Sequence, residues 1–246
     1  MGYSNIDLVK KPIVIAHRTC ARHAPENSLA GIRLAPALGA DGVEIDVQRT
    51  LNGVPILMHD RTLWRTGRVY WPARLLPYAL ARRIPLKRSS EHVPSLAEAL
   101  ANLPPGLVVA IDIKHASAAP ATLAEVRRQH LEDRTLLWSQ HTPAVEFTAR
   151  EAPDIESALL RDALSIEGIR HFLDDAVRVG ARAISAHWNA ISSSFLAEAH
   201  GRGLKVYSMS RDERSQAAKL SIGLDGIVTD WPQEARAAVE SLGSAR

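Results

Sequence analysis

Short apolar runs alternate with helical patterns along the whole chain. The first is Ile13-Val14-Ile15-Ala16-His17-Arg18, and seven more follow at 42–48, 108–114, 135–140, 155–161, 183–188, 205–210 and 226–230. They are apolar at most positions, as strands covered on both faces are, rather than alternating cleanly. Between them lie stretches with helical spacing, among them Leu123–Leu131, Ile169–Val179, Phe195–Gly201 and Ala217–Gly223. A further helix is predicted from Leu29, with Asn27 or Ser28 as its N-cap. Strand–helix alternation predicts a parallel α/β sheet covered by helices. Eight such units in 246 residues fit a closed barrel, with an open doubly wound sheet as the alternative.

A ninth apolar run, Val54–His59, follows Asn52-Gly53. That dipeptide is a strong hairpin signal, because both central residues of a type I′ turn need positive φ. The run should therefore return antiparallel beside Gly42–Leu51 and stand outside the barrel count. A two-residue turn pairs Leu51 with Val54 and so sets Asp46 opposite His59, on one face. The segment of about 61–105 is long and punctuated by proline; it reads as an insertion over the barrel mouth. The whole of 1–246 is otherwise one domain.

Polar side chains interrupt the strands where they end. Glu44 and Asp46, at i and i+2, share a face while Val43, Ile45 and Val47 take the other. Two carboxylates on a covered strand repel unless something cationic joins them, and hard oxygen ligands suit Mg²⁺ or Ca²⁺. A solvated edge strand would carry the same pattern, but the apolar β/α context favours the metal. Asp112 and Lys114 repeat the spacing, offering a third oxygen ligand and a positive charge for an anionic substrate, against the plainer reading of an ion pair. His17 and His59 close two of the runs and fit general acid and base roles; Arg18 can grip phosphate in a bidentate fork. Of the other eight histidines, His115, His141 and His187 stand at or beside strand ends, and the rest read as bland.

Composition narrows the class. With 46% hydrophobic and 23% charged residues the chain is neither disordered nor fibrous, and no run approaches a membrane span. The polar N-terminus shows no secretory h-region, so a cytoplasmic protein is expected. Cys20 is the only cysteine, which excludes an intrachain disulfide and a thiolate metal cage; it reads as a small packed thiol. No Gly-x-Ser-x-Gly elbow, Walker or Rossmann glycine pattern is present. Net charge is only +3, yet Arg61–Arg88 carries eight basic residues and no acid. That suggests an anionic partner, without any motif for nucleic acid. Four aromatics (Trp64, Tyr70, Trp71 and Tyr78) lie in the same block; they are expected to pack the insertion rather than meet a membrane.

Read together, His17-Arg18, Pro25-Glu26-Asn27-Ser28, the block Gly39–Val47, Asn52-Gly53 with His59-Asp60, Asp112-Ile113-Lys114, and Gly223–Pro232 resemble the glycerophosphodiester phosphodiesterase family. The resemblance spans nearly the whole chain in the family's order. It implies a TIM barrel with a small insertion after the second strand. It also implies a divalent cation held by Glu44, Asp46 and Asp112, His17 and His59 as the acid–base pair, and Arg18 and Lys114 on the phosphate, with Glu26 supporting. The expected reaction turns a small glycerophosphodiester into a phosphomonoester and an alcohol, in lipid metabolism. Three departures stand out: Thr19 where the family has glycine, Asp112 where it usually has Glu, and Val206–Ser210 in place of a Trp-Thr-Val-Asn pattern. They keep a sugar phosphodiester, or a sphingomyelinase-D-like lyase forming a cyclic phosphate, in play as alternatives. A non-catalytic module binding anionic ligands or membranes through Arg61–Arg88 is the alternative outside the enzymes.

Overall fold

The computed structural model describes residues 11–161, 166–210 and 220–244. In chain order the strands are β1 (Ile13–Ala16), β2 (Gly42–Arg49), β3 (Pro55–Leu57), β4 (Val108–Ile113), β5 (Thr135–Ser139), β6 (Glu156–Arg161), β7 (Ala183–His187), β8 (Lys205–Ser210) and β9 (Gly226–Thr229). All but β3 are parallel, and β1 pairs with both β9 and β2, which closes an eight-stranded TIM barrel. Closure leaves no free sheet edge to protect, except along the short antiparallel β3. The open-sheet alternative is thereby excluded.

The covering helices are α1 (Leu29–Leu34), α2 (Trp64–Gly67), α3 (Tyr78–Ala81), α4 (Leu96–Ala101), α5 (Ala119–Arg128), α6 (Thr142–Glu151), α7 (Ile166–Arg178), α8 (Ser193–Gly201) and α9 (Pro232–Ser244). Ser28 caps α1, its hydroxyl accepting from Gly31 N, as one of the two expected cap residues. Ser95 and Glu98 form a capping box on α4. Of the helix expected over Ala217–Gly223, residues 217–219 lie outside the described residues. No helix among the described residues is long and apolar enough to cross a membrane.

Alternation sorts each strand into an outer and an inner face. Val43, Ile45 and Val47 of β2 pack outward with Ile32, Leu96, Leu100 and Leu123 of the helices. Inside the barrel, Ile15, Ala110, Trp138, Ala158, Ala183, Tyr207 and Val228 form a separate core. Three alanines there make room for two large rings, Trp138 and Tyr207, whose centroids are 5.0 Å apart. The lower barrel is thus filled by packed side chains, among which Tyr207 Oη donates to Glu156 at 2.7 Å, and the carboxylate cluster lies toward the upper rim.

The hairpin differs from the expected register by one residue. Val47 pairs with Leu57 and Gln48 with Ile56, so Asp46 lies opposite Met58, not His59. The cause is a three-residue turn: Thr50 Oγ1 accepts from Val54 N at 3.0 Å, Gly53 N donates to Thr50 O, and Gly53 takes φ +86°. The hydroxyl closes the loop one residue earlier than a two-residue turn would. His59 still reaches the rim, because the chain leaves strand geometry after Leu57.

Beyond β3 the insertion has a core of its own, built from Ile56, Met58, Leu63, Ala73, Ile84, Leu86 and Val93. Helix α4 falls inside the span of about 61–105 but packs on the barrel through Leu96, Ala99 and Leu100. Three of the four aromatics do not pack as expected: Trp64, Tyr70 and Trp71 are half-exposed or more, and only Tyr78 lies against the insertion core. The core is complete without them.

Candidate active site

Strand alternation delivers the rim residues. Ile15 points into the barrel, so His17 does too; Ala110 carries Asp112 and then Lys114 to the same face, and Val228 carries Asp230. Asp46 and Asp112 are direct register partners on neighbouring parallel strands. Glu44 sits one pleat lower on β2. All three carboxylates are buried, and one ligand atom from each lies within 4.8 Å of the others.

Two cations answer these three acids. Lys114 Nζ lies 2.5 Å from Asp112 Oδ2 and 2.7 Å from Asp46 Oδ1, and Arg18 Nε lies 3.3 Å from Asp46 Oδ2. Burial raises the carboxyl of Asp46, but Lys114 and Arg18 outweigh it and lower the pKa to about 2. Burial likewise opposes charge on Lys114, and Asp112, Asp46 and Glu44 together hold its pKa above the ordinary lysine value. Glu44 fares differently. Burial and then the neighbouring Asp46 push its pKa well above the ordinary 4.5, despite Lys114 and a hydrogen bond from Arg18 N at 2.8 Å. Asp112 is also raised, first by burial.

The cluster is therefore one positive charge short. Among the described residues, Asp112 Oδ1 is buried with no hydrogen-bond partner. Three hard oxygen donors with a charge deficit and an orphaned lone pair fit a divalent cation. Lys114 already meets part of that demand, so a cation would compete with its ammonium for the same oxygens.

Both histidines are backed by carboxylates. His17 Nδ1 lies 2.7 Å from Asp230 Oδ1, and His59 Nδ1 lies 2.7 Å from Asp60 Oδ1. In each ring that contact leaves Nε2 as the second nitrogen. His59 acts electrostatically on Asp46 and Asp112, and shares with Asp112 and Lys114 the lining of a cavity of about 760 Å³. His115 and His141, rings 5.9 Å apart, line its other side.

Several supporting contacts are not spelled out by the sequence, although Glu26 and Asn27 fall in its Pro25–Ser28 block. Asn27, at φ +55°, clamps Asp46 from two sides: its Nδ2 donates to Oδ2 at 2.8 Å, and Asp46 N donates to its Oδ1 at 2.9 Å. Gln48 Nε2 donates to the carbonyls of His59 and Asp60. Arg65, from the insertion, grips Asp60 with Nε at 2.6 Å and Glu26 with Nη1 at 2.5 Å, while Glu26 also faces Arg18 at 3.5 Å. A chain of charges thus links His59, Asp60, Arg65, Glu26 and Arg18.

The first loop is strained. Arg18, Thr19 and Cys20 take φ of +46°, +58° and +64°, each at a cost of about 1–2 kcal/mol for a residue with a Cβ. Thr19 stands at one of these positions, which explains why glycine suits it; here its hydroxyl accepts from Ser28 N at 3.0 Å instead. A Cβ on Gly31 would come within 1.7 Å of Thr19 O, so α1 can approach the loop only with glycine there. Cys20 is fully buried, and burial pushes its thiol up to about 12. It is a packed thiol, as its sequence context suggested.

A barrel with buried acids and paired His–Asp groups on its C-terminal rim has the anatomy of a TIM-barrel hydrolase. The model of the "Glycerophosphoryl diester phosphodiesterase family" matches residues 17–234, and the chain belongs to that family, one of phosphoric diester hydrolases. A glycerophosphodiester phosphodiesterase of Caldanaerobacter subterraneus subsp. tengcongensis is 25% identical, across 91% of this chain and 96% of its own. Among solved structures, a glycerophosphodiester phosphodiesterase from Parabacteroides distasonis superposes with a TM-score of 0.82 at 22% identity, covering 96% of this chain and 99% of that one. A phosphodiesterase from Oleispira antarctica, solved with the product sn-glycerol-3-phosphate, gives 0.85 at 23% identity, covering 93% and 97%. At those identities the two structures speak for the fold.

Proposed function

We propose that the protein is a metal-dependent phosphodiester hydrolase that cleaves a glycerophosphodiester, or a similarly small diester, into a phosphomonoester and an alcohol. The observation that carries this reading is the pairing of two carboxylate-backed histidines with a buried three-carboxylate cluster on one barrel rim. The product held by the Oleispira protein makes a glycerol-bearing diester the first substrate to try.

Glu44, Asp46 and Asp112 would hold Mg²⁺ or Ca²⁺, and the bound cation supplies Lewis-acid neutralisation of phosphoryl oxygens. Arg18 and Lys114 add positive charge beside the phosphate. Asp230 holds the Nδ1–H of His17, so that Nε2 takes a proton from the attacking water and the carboxylate steadies the imidazolium. Asp60 holds His59 in the same way, and His59 Nε2–H protonates the departing alkoxide. The two rings then exchange protons with solvent and reset. Arg65 keeps Asp60 ionised and in place; hydrogen bonds from Arg65 and His59 lower its carboxyl pKa despite partial burial.

The test is turnover of glycerophosphocholine by His17→Ala and His59→Ala. Each should fall by about 10²–10⁴-fold with folding intact. Near-normal rates in both would refute the assignment. Phosphorus NMR of products formed in heavy-oxygen water reads the reaction type: label in the phosphomonoester means hydrolysis, and an accumulating cyclic phosphate means the lyase alternative.

A further inference from the structure

Seven large apolar side chains stand exposed among the described residues, and six of them fall between residues 51 and 80: Leu51, Trp64, Tyr70, Trp71, Leu75 and Leu80. Tyr70 is 79% exposed, and Trp64 and Trp71 each 51%. Monomeric surfaces scatter such residues singly; here five lie on the insertion and Leu51, whose N–H donates to Leu76 O, abuts it, and such a gathering marks a contact surface. The insertion does not need them, since its core closes beneath them on Leu63, Ala73 and Ile84. They are nonetheless held in place. The rings of Trp64 and Tyr70 meet edge to face at 6.2 Å, and a β-bridge ties Thr62 to Pro72 beside Trp71.

The same subdomain carries the basic block. All eight basic side chains from Arg61 to Arg88 are exposed. Among the described residues only Arg65 has a carboxylate partner. Unpaired cations around outward-facing tryptophan and tyrosine match the interfacial zone of an anionic bilayer, where amphipathic rings sit at headgroup depth and Arg and Lys meet lipid phosphates. A second copy of the chain fits poorly, because a two-fold contact would set this charge against itself. A nucleic acid would leave Leu51, Leu75 and Leu80 without an apolar environment. The patch is also continuous with the mouth: Leu51, Arg61, Arg74 and Leu75 line the same cavity as His59 and Lys114.

We propose that this face of the insertion seats the protein reversibly on an anionic lipid surface, with the barrel mouth opening beside it, so that its substrates include amphiphilic phosphodiesters carried in that surface. The substrate clause rests on the hydrolase reading; the docking does not. Each basic side chain brought to an anionic surface strengthens partitioning about fivefold.

The experiment is co-pelleting of the full chain with phosphatidylcholine vesicles, with and without a share of phosphatidylglycerol. Two triple variants run alongside: Trp64→Ser/Tyr70→Ser/Trp71→Ser, and Arg68→Gln/Arg82→Gln/Arg83→Gln. Wild type should pellet with the anionic vesicles only, and binding should fall as the Debye length shrinks from about 10 Å at 0.1 M salt to about 3 Å at 1 M. The arginine triple should bind about 100-fold more weakly, and the aromatic triple should also lose binding. Both should keep the wild-type rate on soluble glycerophosphocholine, which shows them folded. No pelleting at low salt, equal pelleting with uncharged vesicles, or undiminished binding by both variants overturns the docking. So does a dimer in light scattering that the aromatic triple disperses while vesicles stay unbound. Vesicle binding without any diester turnover keeps the docking and removes the substrate clause.

Discussion

Glu44→Gln should make the cation-free protein more stable, although it removes a residue proposed to be essential. The wild-type carboxyl is buried beside Asp46 and Asp112, and its raised pKa already counts the attraction of Lys114. At pH 7 the penalty it imposes is bounded by about 1.4 kcal/mol for each pH unit above its ordinary 4.5, hence about 3 kcal/mol. Glutamine removes that penalty, and its side-chain oxygen can still accept from Arg18 N. For a chain of this size 1 kcal/mol moves Tm by roughly 2–4 °C, so a rise of several degrees, at most about 12 °C, is expected in excess chelator. The sign with pH follows from the raised pKa: below 4.5 the group is protonated in both states and the advantage disappears, and it grows toward neutral pH. Adding Mg²⁺ or Ca²⁺ at about a thousand times Kd should reverse the order, because the wild type then gains about 4.1 kcal/mol and the variant less. Differential scanning calorimetry in chelator and in cation reads all of this. A Glu44→Gln variant less stable than wild type at pH 7 in chelator, or stabilised equally by cation, would refute the charge-deficit argument.

Other expectations follow from single contacts. Asp60→Asn and Asp230→Asn should each lower turnover while leaving Tm within a few degrees, and a pH–rate profile should lose the limb belonging to the histidine they orient. Cys20 should resist iodoacetamide at pH 8 in the native state and react at once in denaturant, since burial raises its pKa from 9.0 to about 12; rapid native labelling would contradict the packing. By the same shift, its contribution to stability is present below pH 9 and lost as pH climbs toward 12. Ser95→Ala removes the capping box of α4 and should cost about 0.5–2 kcal/mol in a denaturant titration, with turnover unchanged.

The barrel was legible because its strands are mostly apolar and spaced by helical segments, and charged side chains stand out against that pattern. Glu44, Asp46, Asp112 and Lys114 stood out for that reason, and the structure brings them together. Less was readable in the supports. Asp230 reaches His17 only because β9 closes against β1, a contact between residues 213 positions apart. Arg65 bridges the insertion to the barrel, and nothing local marks it among its basic neighbours. The hairpin register turned on one hydroxyl, Thr50, which pattern reading passes over in favour of Asn52-Gly53. The aromatics were expected inside because large rings usually bury; their exposure depends on how much core the insertion already has.

The most direct measurement is a calorimetric titration of Mg²⁺ and of Ca²⁺ into chelator-stripped protein, run beside the rate of glycerophosphocholine cleavage at each concentration. One cation should bind per chain, turnover should rise along the same saturation curve, and Asp46→Asn should abolish both. Full turnover in excess chelator, or cation binding that Asp46→Asn leaves untouched, would contradict the idea that Glu44, Asp46 and Asp112 form the centre of the reaction.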